Sequence, residues 1–249
     1  MAIGRFYRQD GSIQFDANIP PYVFQGKGTV TTISTRGSSP HWSNSSPSSA
    51  LIPMTYDSDE LIAVFLFGYG YARYANLSYN GQWYHIFHTD APVGTTVTYY
   101  RFRIATSFQG DYGPGLQLFN TAGVRTYHSG LRAAVPVGFV SGVGSSLVLP
   151  TGRAYASVVQ TQAGYERYAW SGEREVETND KGQITARYWL GEQYGRLYGV
   201  RWSNAWTADL VEVPFNDASI RSTATTKPAD SVFYSNPIND VMLLDVTDL

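Results

Sequence analysis

Acidic side chains alternate along one short segment of the chain. Glu173, Glu175 and Glu177 stand at every second position, so on a β-strand they line one face about 6 to 7 Å apart. Paired carboxylates roughly 5 to 9 Å apart can act as acid and base in glycoside cleavage. A charged strand face also protects a sheet from wrong pairing, and Arg174 and Arg187 could neutralise part of it. The pattern favours protection, with a glycan-cleaving enzyme as one alternative.

Two histidines form the one close histidine pair in the sequence. His85 and His88 stand three positions apart, with Asp90 nearby. On a helix this spacing can share a metal, but on a strand the two side chains point to opposite faces. The neighbouring Tyr84 and Phe87 favour a strand. We therefore expect ordinary surface or packing histidines and no cofactor, with a metal bridging several subunits as the remaining alternative.

Aromatic side chains carry the strongest potential for binding. Their rings stack well on a sugar or on a partner subunit, although an aromatic-rich β-core is the plainer interpretation. Strand alternation would leave about half of each group outside the core. The three groups are Tyr69, Tyr71, Tyr74, Tyr79, Trp83 and Tyr84; Tyr165, Tyr168 and Trp170; and Tyr188, Trp189, Tyr194, Tyr198, Trp202 and Trp206. The candidate binding residues among them are Tyr74, Tyr79, Trp83, Tyr84, Tyr194, Tyr198 and Trp202.

Several function classes lack their sequence signals. The chain has no Ser-centred nucleophile elbow, phosphate loop or dinucleotide fingerprint, so we expect no enzyme activity. It has no cysteine, which excludes thiolate chemistry and Cys-ligated zinc. Its formal net charge is -2 with only three lysines, whereas a nucleic-acid partner normally requires a basic stripe. We therefore expect no nucleic-acid partner.

We expect the candidate residues to lie on β-strands. Charged residues make up 15% of the chain and aromatics another 15%, and runs with a period of two recur between turn residues, which predicts an all-β fold. Asn80-Gly81 predicts a type I′ hairpin turn. Only Trp206–Val211 and a few short stretches are candidates for helix. The predicted strands are 12–16, 28–34, 61–67, 71–79, 82–88, 95–105, 115–120, 124–128, 154–161, 174–178, 183–190, 196–202 and 241–246.

The chain divides most naturally after Pro150. Pro150-Thr151-Gly152 follows a Gly/Val/Ser-rich segment, which predicts an N-terminal β domain with the aromatic hairpins over 1–150 and a C-terminal β domain over 151–249. Each is expected to be a β-sandwich-like unit built from antiparallel hairpins, although one continuous sandwich is an alternative. The Ser/Pro-rich stretch 37–49 predicts an exposed loop. The apolar C-terminal segment 240–249 predicts a strand paired within the fold or with a neighbouring subunit.

Two segments share a pattern of an aromatic, a polar triplet, a glycine and a second aromatic. They are Tyr7–Asp16 and Phe119–His128. Each predicts a β-hairpin whose turn glycine, Gly11 or Gly123, takes a positive φ. The bracketing aromatics are expected to lie near one another across the strands.

The second of these segments resembles a known group of proteins. Gly115–Ser129 looks like a hairpin that recurs in small tail-tip and tail-fibre-associated proteins of tailed bacteriophages, and Gly4–Asp16 and Tyr22–Thr31 resemble the opening of such proteins. The resemblance covers about a quarter of the chain. It departs from the family in having the hairpin twice and in leaving the last hundred residues unmatched.

The resemblance implies a structural component of a virion, at the tail tip or associated with tail fibres. Its partners would be other tail proteins and further copies of itself, with host-surface glycan binding as a further hypothesis. Met1–Asp10 lacks the apolar core of a signal peptide, and the longest apolar run, Leu61–Phe67, is about a third of a membrane span. We therefore expect assembly in the host cytoplasm, release in the virion and no membrane insertion. The main alternative function is a carbohydrate-binding β-sandwich module.

Overall fold

The computed structural model confirms an all-β fold. It describes residues 5–7, 13–16, 20–34, 48–55, 60–108, 113–159, 163–236 and 240–249. One 3-10 turn, Ala105–Ser107, follows the eighth strand. The strands are β1 (Arg5–Tyr7), β2 (Ile13–Asp16), β3 (Tyr22–Thr31), β4 (Ser48–Pro53), β5 (Glu60–Phe65), β6 (Gly70–Tyr79), β7 (Gln82–Thr89), β8 (Thr96–Ile104), β9 (Gln117–Phe119), β10 (Arg125–His128), β11 (Val135–Ser141), β12 (Ser146–Val148), β13 (Tyr155–Val159), β14 (Gly164–Thr178), β15 (Ile184–Asn204), β16 (Thr207–Ser222), β17 (Ser231–Asn236) and β18 (Asp240–Asp245).

Two large antiparallel sheets form a sandwich. The first has the order β11-β18-β13-β5-β8-β3, and the second has the order β12-β16-β15-β6-β7-β4. The main core lies between them and takes side chains from both, including Ile62 and Leu243 from the first sheet and Phe87, Val200 and Trp202 from the second. Burial of these apolar faces against each other is the dominant stabilising term for such a sandwich.

The first sheet also buries its other face. Phe102, Val158 and Leu244 form a second core there, and the sheet curls until its two edges approach each other. Residues 132–134, which lead into β11, pair with β3 at the opposite edge: the Phe24 N–H donates to the Arg132 carbonyl, and the Ala134 N–H donates to the Tyr22 carbonyl, each over 2.7 Å. This pairing satisfies edge groups that would otherwise be open to another chain.

The predicted boundary after residue 150 does not divide the sheets. The first sheet combines β3, β5, β8 and β11 with β13 and β18, and the second combines β4, β6, β7 and β12 with β15 and β16. Both halves of the sequence therefore contribute to one shared core. The C-terminal strand β18 lies between β11 and β13, which confirms that this segment pairs within the fold.

The predicted strands differ from the structure mainly in length and number. The segments 183–190 and 196–202 belong to the single strand β15, and Trp206–Val211 is not helical but forms the turn into β16 and its first residues. Strands β4, β11, β12, β16 and β17 were not predicted. Most of the predicted loop 37–49 lies outside the described residues, while Ser48 and Ser49 begin β4.

Two hairpin predictions are confirmed in backbone geometry. Asn80 has φ 50° and Gly81 has φ 80°, so the β6–β7 turn has both central residues in the left-handed region that a type I′ turn requires. Gly123 has φ 78° between β9 and β10. β1 and β2 also pair, although Gly11 lies outside the described residues. The bracketing aromatics are not directly opposite, since Phe119 faces Arg125 and Tyr127 faces Leu118.

Candidate binding surfaces

The second sheet continues past the sandwich core as a four-stranded extension, which we call the arm. It comprises residues 164–196 of β14 and β15 and residues 214–236 of β16 and β17, in the order β17-β14-β15-β16. Hydrophobic burial stops at Leu197 and Val213. Within the described side chains of the arm, none that is hydrophobic is buried. The arm is therefore a sheet without a core of its own.

One face of the arm is continuous with the face that the sandwich buries. Val200 and Trp202 of β15 pack in the main core. Because side chains alternate along a strand, Tyr198, Arg196, Tyr194 and Tyr188 lie on that same face beyond the end of the core. We call this the inner face of the arm. It is the part of the core-facing surface that no described element covers.

A shallow groove of about 540 Å³ lies at the base of the inner face, and we call it the tyrosine groove. Its aromatic part is Tyr165 and Tyr198, whose ring centroids are 6.2 Å apart at an angle of 54°. Its remaining lining residues are Arg167, Glu212, Asp230, Ser231 and Val232.

Strand pairing explains how the polar groups of the tyrosine groove are held. Tyr198 pairs directly with Glu212 of β16, and the Tyr165 hydroxyl donates to Glu212 Oε2 over 3.2 Å. Burial, together with the charge and hydrogen bond of Glu212, raises the pKa of Tyr165. The phenol therefore remains a neutral donor at physiological pH. On the neighbouring edge, Asp230 Oδ1 accepts the Trp170 backbone N–H over 2.9 Å.

Further along the inner face, a single arginine contacts two carboxylates of the predicted row. Arg221 of β16 contacts Glu175 over 2.9 Å and Glu177 over 3.2 Å, and its guanidinium lies over the Tyr188 ring at 5.5 Å. Arg174, expected to serve this role, instead lies over the Trp189 ring at 4.9 Å. The Glu173 side chain is outside the described part of the chain. One guanidinium thus contacts both described carboxylates of the row.

The opposite face of the arm is polar at its centre. Tyr168 donates to Glu166 over 3.0 Å, and the Gln193 amide donates to the Tyr168 hydroxyl over 3.0 Å. Phe233 of β17 packs edge-on against Tyr168 with a centroid distance of 5.8 Å, yet it remains 62% exposed. This face therefore also ends in uncovered aromatic surface.

The β6–β7 hairpin separates its predicted binding residues. Trp83 is 55% exposed near the turn, and Tyr84 is partly buried. Tyr74 is partly buried against the His88 ring, at a centroid distance of 4.5 Å, and against Phe215. Burial and the nearby charge of Glu166 raise the pKa of Tyr74. The Tyr79 side chain lies outside the described residues, so Trp83 is the exposed aromatic of this set.

Trp202 does not belong to any surface, and its prediction as a surface anchor is wrong. Its exposure is 0%. The indole N–H donates to the Tyr71 hydroxyl over 3.1 Å, and the ring stacks parallel to Tyr155. Trp202 shares a strand face with Tyr198, but the first sheet covers Trp202 and ends before Tyr198. The alternating pattern of the strand does not show which of its residues a second sheet covers.

His85 belongs to a buried ionic cluster with Glu60 and Arg101. His85 Nε2 lies 3.0 Å from Glu60 Oε2, and Arg101 Nη1 lies 2.7 Å from Glu60 Oε1. His85 Nδ1 faces Asn76 Oδ1, which also accepts from Arg73. Both ring nitrogens therefore lie within hydrogen-bond distance of a side-chain oxygen. Burial alone raises the pKa of Glu60, but the hydrogen bonds and charges of His85 and Arg101 outweigh it and lower that pKa.

His88 lies on the other face of β7, as the strand interpretation predicted. Ser49 Oγ and His88 Nδ1 are 2.6 Å apart, while His88 Nε2 has no hydrogen-bond partner among the described residues. Burial lowers the pKa of His88 to about 4. The ring is therefore neutral at physiological pH, and both histidines are packing residues.

The described residues contain no group of three or more His, Asp or Glu side chains arranged to hold a metal ion. Within the same residues, no helix has the length and apolar character to cross a membrane. Comparison of the chain with protein-family models, with curated proteins and with solved structures finds no match.

The residues that sequence reasoning missed are those that complete the surfaces across strands. Glu212 and Arg221 lie on β16, which was not predicted as a strand. Tyr165 was grouped with Tyr168 and Trp170, although it lies beside Tyr198 in space. A prediction of β16 as a strand antiparallel to β15 would have placed Glu212 opposite Tyr198.

Proposed function

We propose that the chain is a structural component of a tailed-bacteriophage virion, at the tail tip or associated with tail fibres, and that the arm makes its assembly contacts. The observation that supports this proposal is the arm without a core. A sheet becomes stable by burying at least one face against another layer, and a single layer with both faces open lacks that stabilisation. A partner that covers the arm would supply the missing layer.

The chemistry of the arm suits a protein partner. Its uncovered apolar and aromatic side chains, among them Val176, Ile184 and Phe233, are 45%, 52% and 62% exposed, and they lie among arginines and carboxylates. Aromatic residues and arginine are enriched at the centres of protein interfaces. The edge strand β17 pairs with β14 alone, so its other edge can accept a strand from another tail protein or from a second copy of this chain.

The first test is to locate the chain in phage particles from its source. We expect its peptides in the mass spectrum of purified particles, and antibody label confined to the tail in electron micrographs. Particles that lack both the peptides and the label would overturn the virion role.

The contribution of the arm is tested by a matched pair of exposed phenylalanines. Phe233 on the arm is 62% exposed, and Phe139 on the sandwich is 60% exposed. Phe233→Asp is expected to reduce incorporation into particles at least tenfold, whereas Phe139→Asp leaves it unchanged. Circular dichroism establishes that both variants are folded. Equal incorporation of the two variants would show that the arm is not the assembly surface.

A further inference from the structure

We propose that the tyrosine groove binds a neutral glycan, with one sugar ring seated against Tyr165 and Tyr198. This inference goes beyond the assembly role of the arm and rests on the chemistry of the groove itself. A hexose presents an apolar C–H face and a rim of hydroxyl groups. A site for it therefore needs an aromatic surface beside a few fixed polar groups.

The two tyrosines provide the aromatic surface. Their rings are inclined by 54° with centroids 6.2 Å apart. The two rings therefore form an angled aromatic surface and do not stack face to face. Strand pairing holds both of them. The Tyr198 N–H donates to the carbonyl of Ala163, two residues before Tyr165, over 2.8 Å, and Tyr165 pairs with Arg196. Because the two side chains are already ordered, ligand binding costs them little conformational entropy.

The polar groups select for hydroxyls. Glu212 is fixed beside the rings by the hydrogen bond from Tyr165, and an ionised carboxylate accepts several hydrogen bonds. Arg167 provides donors at the other side of the groove, and Ser231 provides a hydroxyl. This combination of acceptors and donors around an aromatic surface matches a ring of sugar hydroxyls.

The charges around the groove are balanced. Its lining contains the carboxylates of Glu212 and Asp230 and the guanidinium of Arg167, and Arg196 pairs directly with Tyr165 on the inner face. Two negative and two positive charges give an acidic sugar no net attraction, so the aromatic surface and the hydroxyl partners decide which ligand binds.

The test is a calorimetric titration of the purified chain with neutral gluco-, galacto- and manno-oligosaccharides, and with a sialylated oligosaccharide as the acidic probe. We expect at least one neutral probe to bind, and the acidic probe to bind no more tightly than the neutral probes. Tyr198→Ala is expected to weaken the neutral probe at least tenfold. Tyr165→Phe keeps the ring but removes the hydrogen bond that holds Glu212, so it should weaken the neutral probe less than Tyr198→Ala does.

Tyr188→Ala is the matched control, since Tyr188 lies on the same face outside the groove. It should leave affinity unchanged, and thermal melting verifies the fold of every variant. Failure of every neutral probe to bind at about 10 mM, or binding that survives Tyr198→Ala, would overturn the glycan site. A chain that is present in particles but binds no probe overturns this inference alone. A chain that binds the probe but is absent from particles overturns the virion role alone.

Discussion

The sandwich and the arm share one strand but not one mode of stabilisation. Along β15, Trp202 is fully buried between two sheets, while Tyr198, on the same face, borders an open groove. The sandwich end carries three apolar clusters. The arm relies on strand pairing, ring contacts and exposed ion pairs such as those of Arg221. The same alternating pattern therefore serves as a core in one region and as a binding surface in the other.

The largest expected effect is a difference in the free energy of unfolding between two tryptophan variants. Trp202→Ala removes a fully buried side chain and should lower the free energy of unfolding by about 3 to 5 kcal/mol, because it leaves a cavity in the main core. Trp83→Ala removes an exposed ring and should change it by less than about 0.5 kcal/mol. Urea denaturation of both variants measures the difference. Equal losses would mean that the sandwich core does not depend on Trp202.

The ionic cluster should matter nearly as much as the apolar core. Glu60→Gln leaves Arg101 without its buried counter-charge and should cost about 3 kcal/mol or more. In the wild type the lowered pKa of Glu60 means that this stabilisation is present above pH ~4.5 and is lost as the pH falls through the folded-state value. Urea midpoints from pH 7 to pH 3 measure both effects. An acid slope that is as steep in Glu60→Gln as in the wild type would exclude Glu60 as its source.

His88 should add a second acid-sensitive step at higher pH. Its pKa of about 4 in the fold lies below the ordinary value of ~6.5, so the unfolded chain binds the proton more readily. Stability is therefore complete above pH ~6.5 and should fall by roughly 2 kcal/mol at pH 5. The drop between pH 7 and pH 5, measured by denaturation, should shrink in His88→Gln. An unchanged drop in that variant would assign the step to another group.

The smallest effect is expected on the arm. Arg221→Ala removes two exposed ion pairs and one ring contact, and it should change the free energy of unfolding by less than about 1 kcal/mol. The same denaturation assay measures this change. The control is Arg153→Ala, which removes the ion pair between the exposed Arg153 and the largely buried Asp245 on the sandwich. A loss of several kcal/mol in Arg221→Ala alone would show that the isolated arm is held together by its charges.

Local patterns predicted much of the fold. The Asn80-Gly81 turn, the strand β18 and the hairpin at Gly123 follow from turn chemistry and period-two alternation, which depend only on neighbouring residues. The division after residue 150 stays a prediction, but the sheets do not follow it, for the opposite reason. Strand neighbours such as β13 and β5, or β15 and β6, are far apart in sequence, and short patterns carry no information on which distant strands pair.

The candidate site was predicted in part. Tyr198 was predicted as a binding residue and lies in the groove, and Trp83 is exposed as a binding role requires. Trp202 was misplaced, and Tyr165 and Glu212 were missed because their contacts run across strands. The binding roles themselves remain predictions that the titrations above would test.

The sequence alone predicts strands at 183–190 and 196–202, and it places Tyr198 and Trp202 on one face of the second, because alternation is a property of the backbone. The fold joins both segments in β15, and it makes Trp202 core and Tyr198 surface. The reason is physical: burial depends on whether a second layer covers a given point of the face, and the first sheet, whose strands are far from β15 in sequence, ends between these two residues.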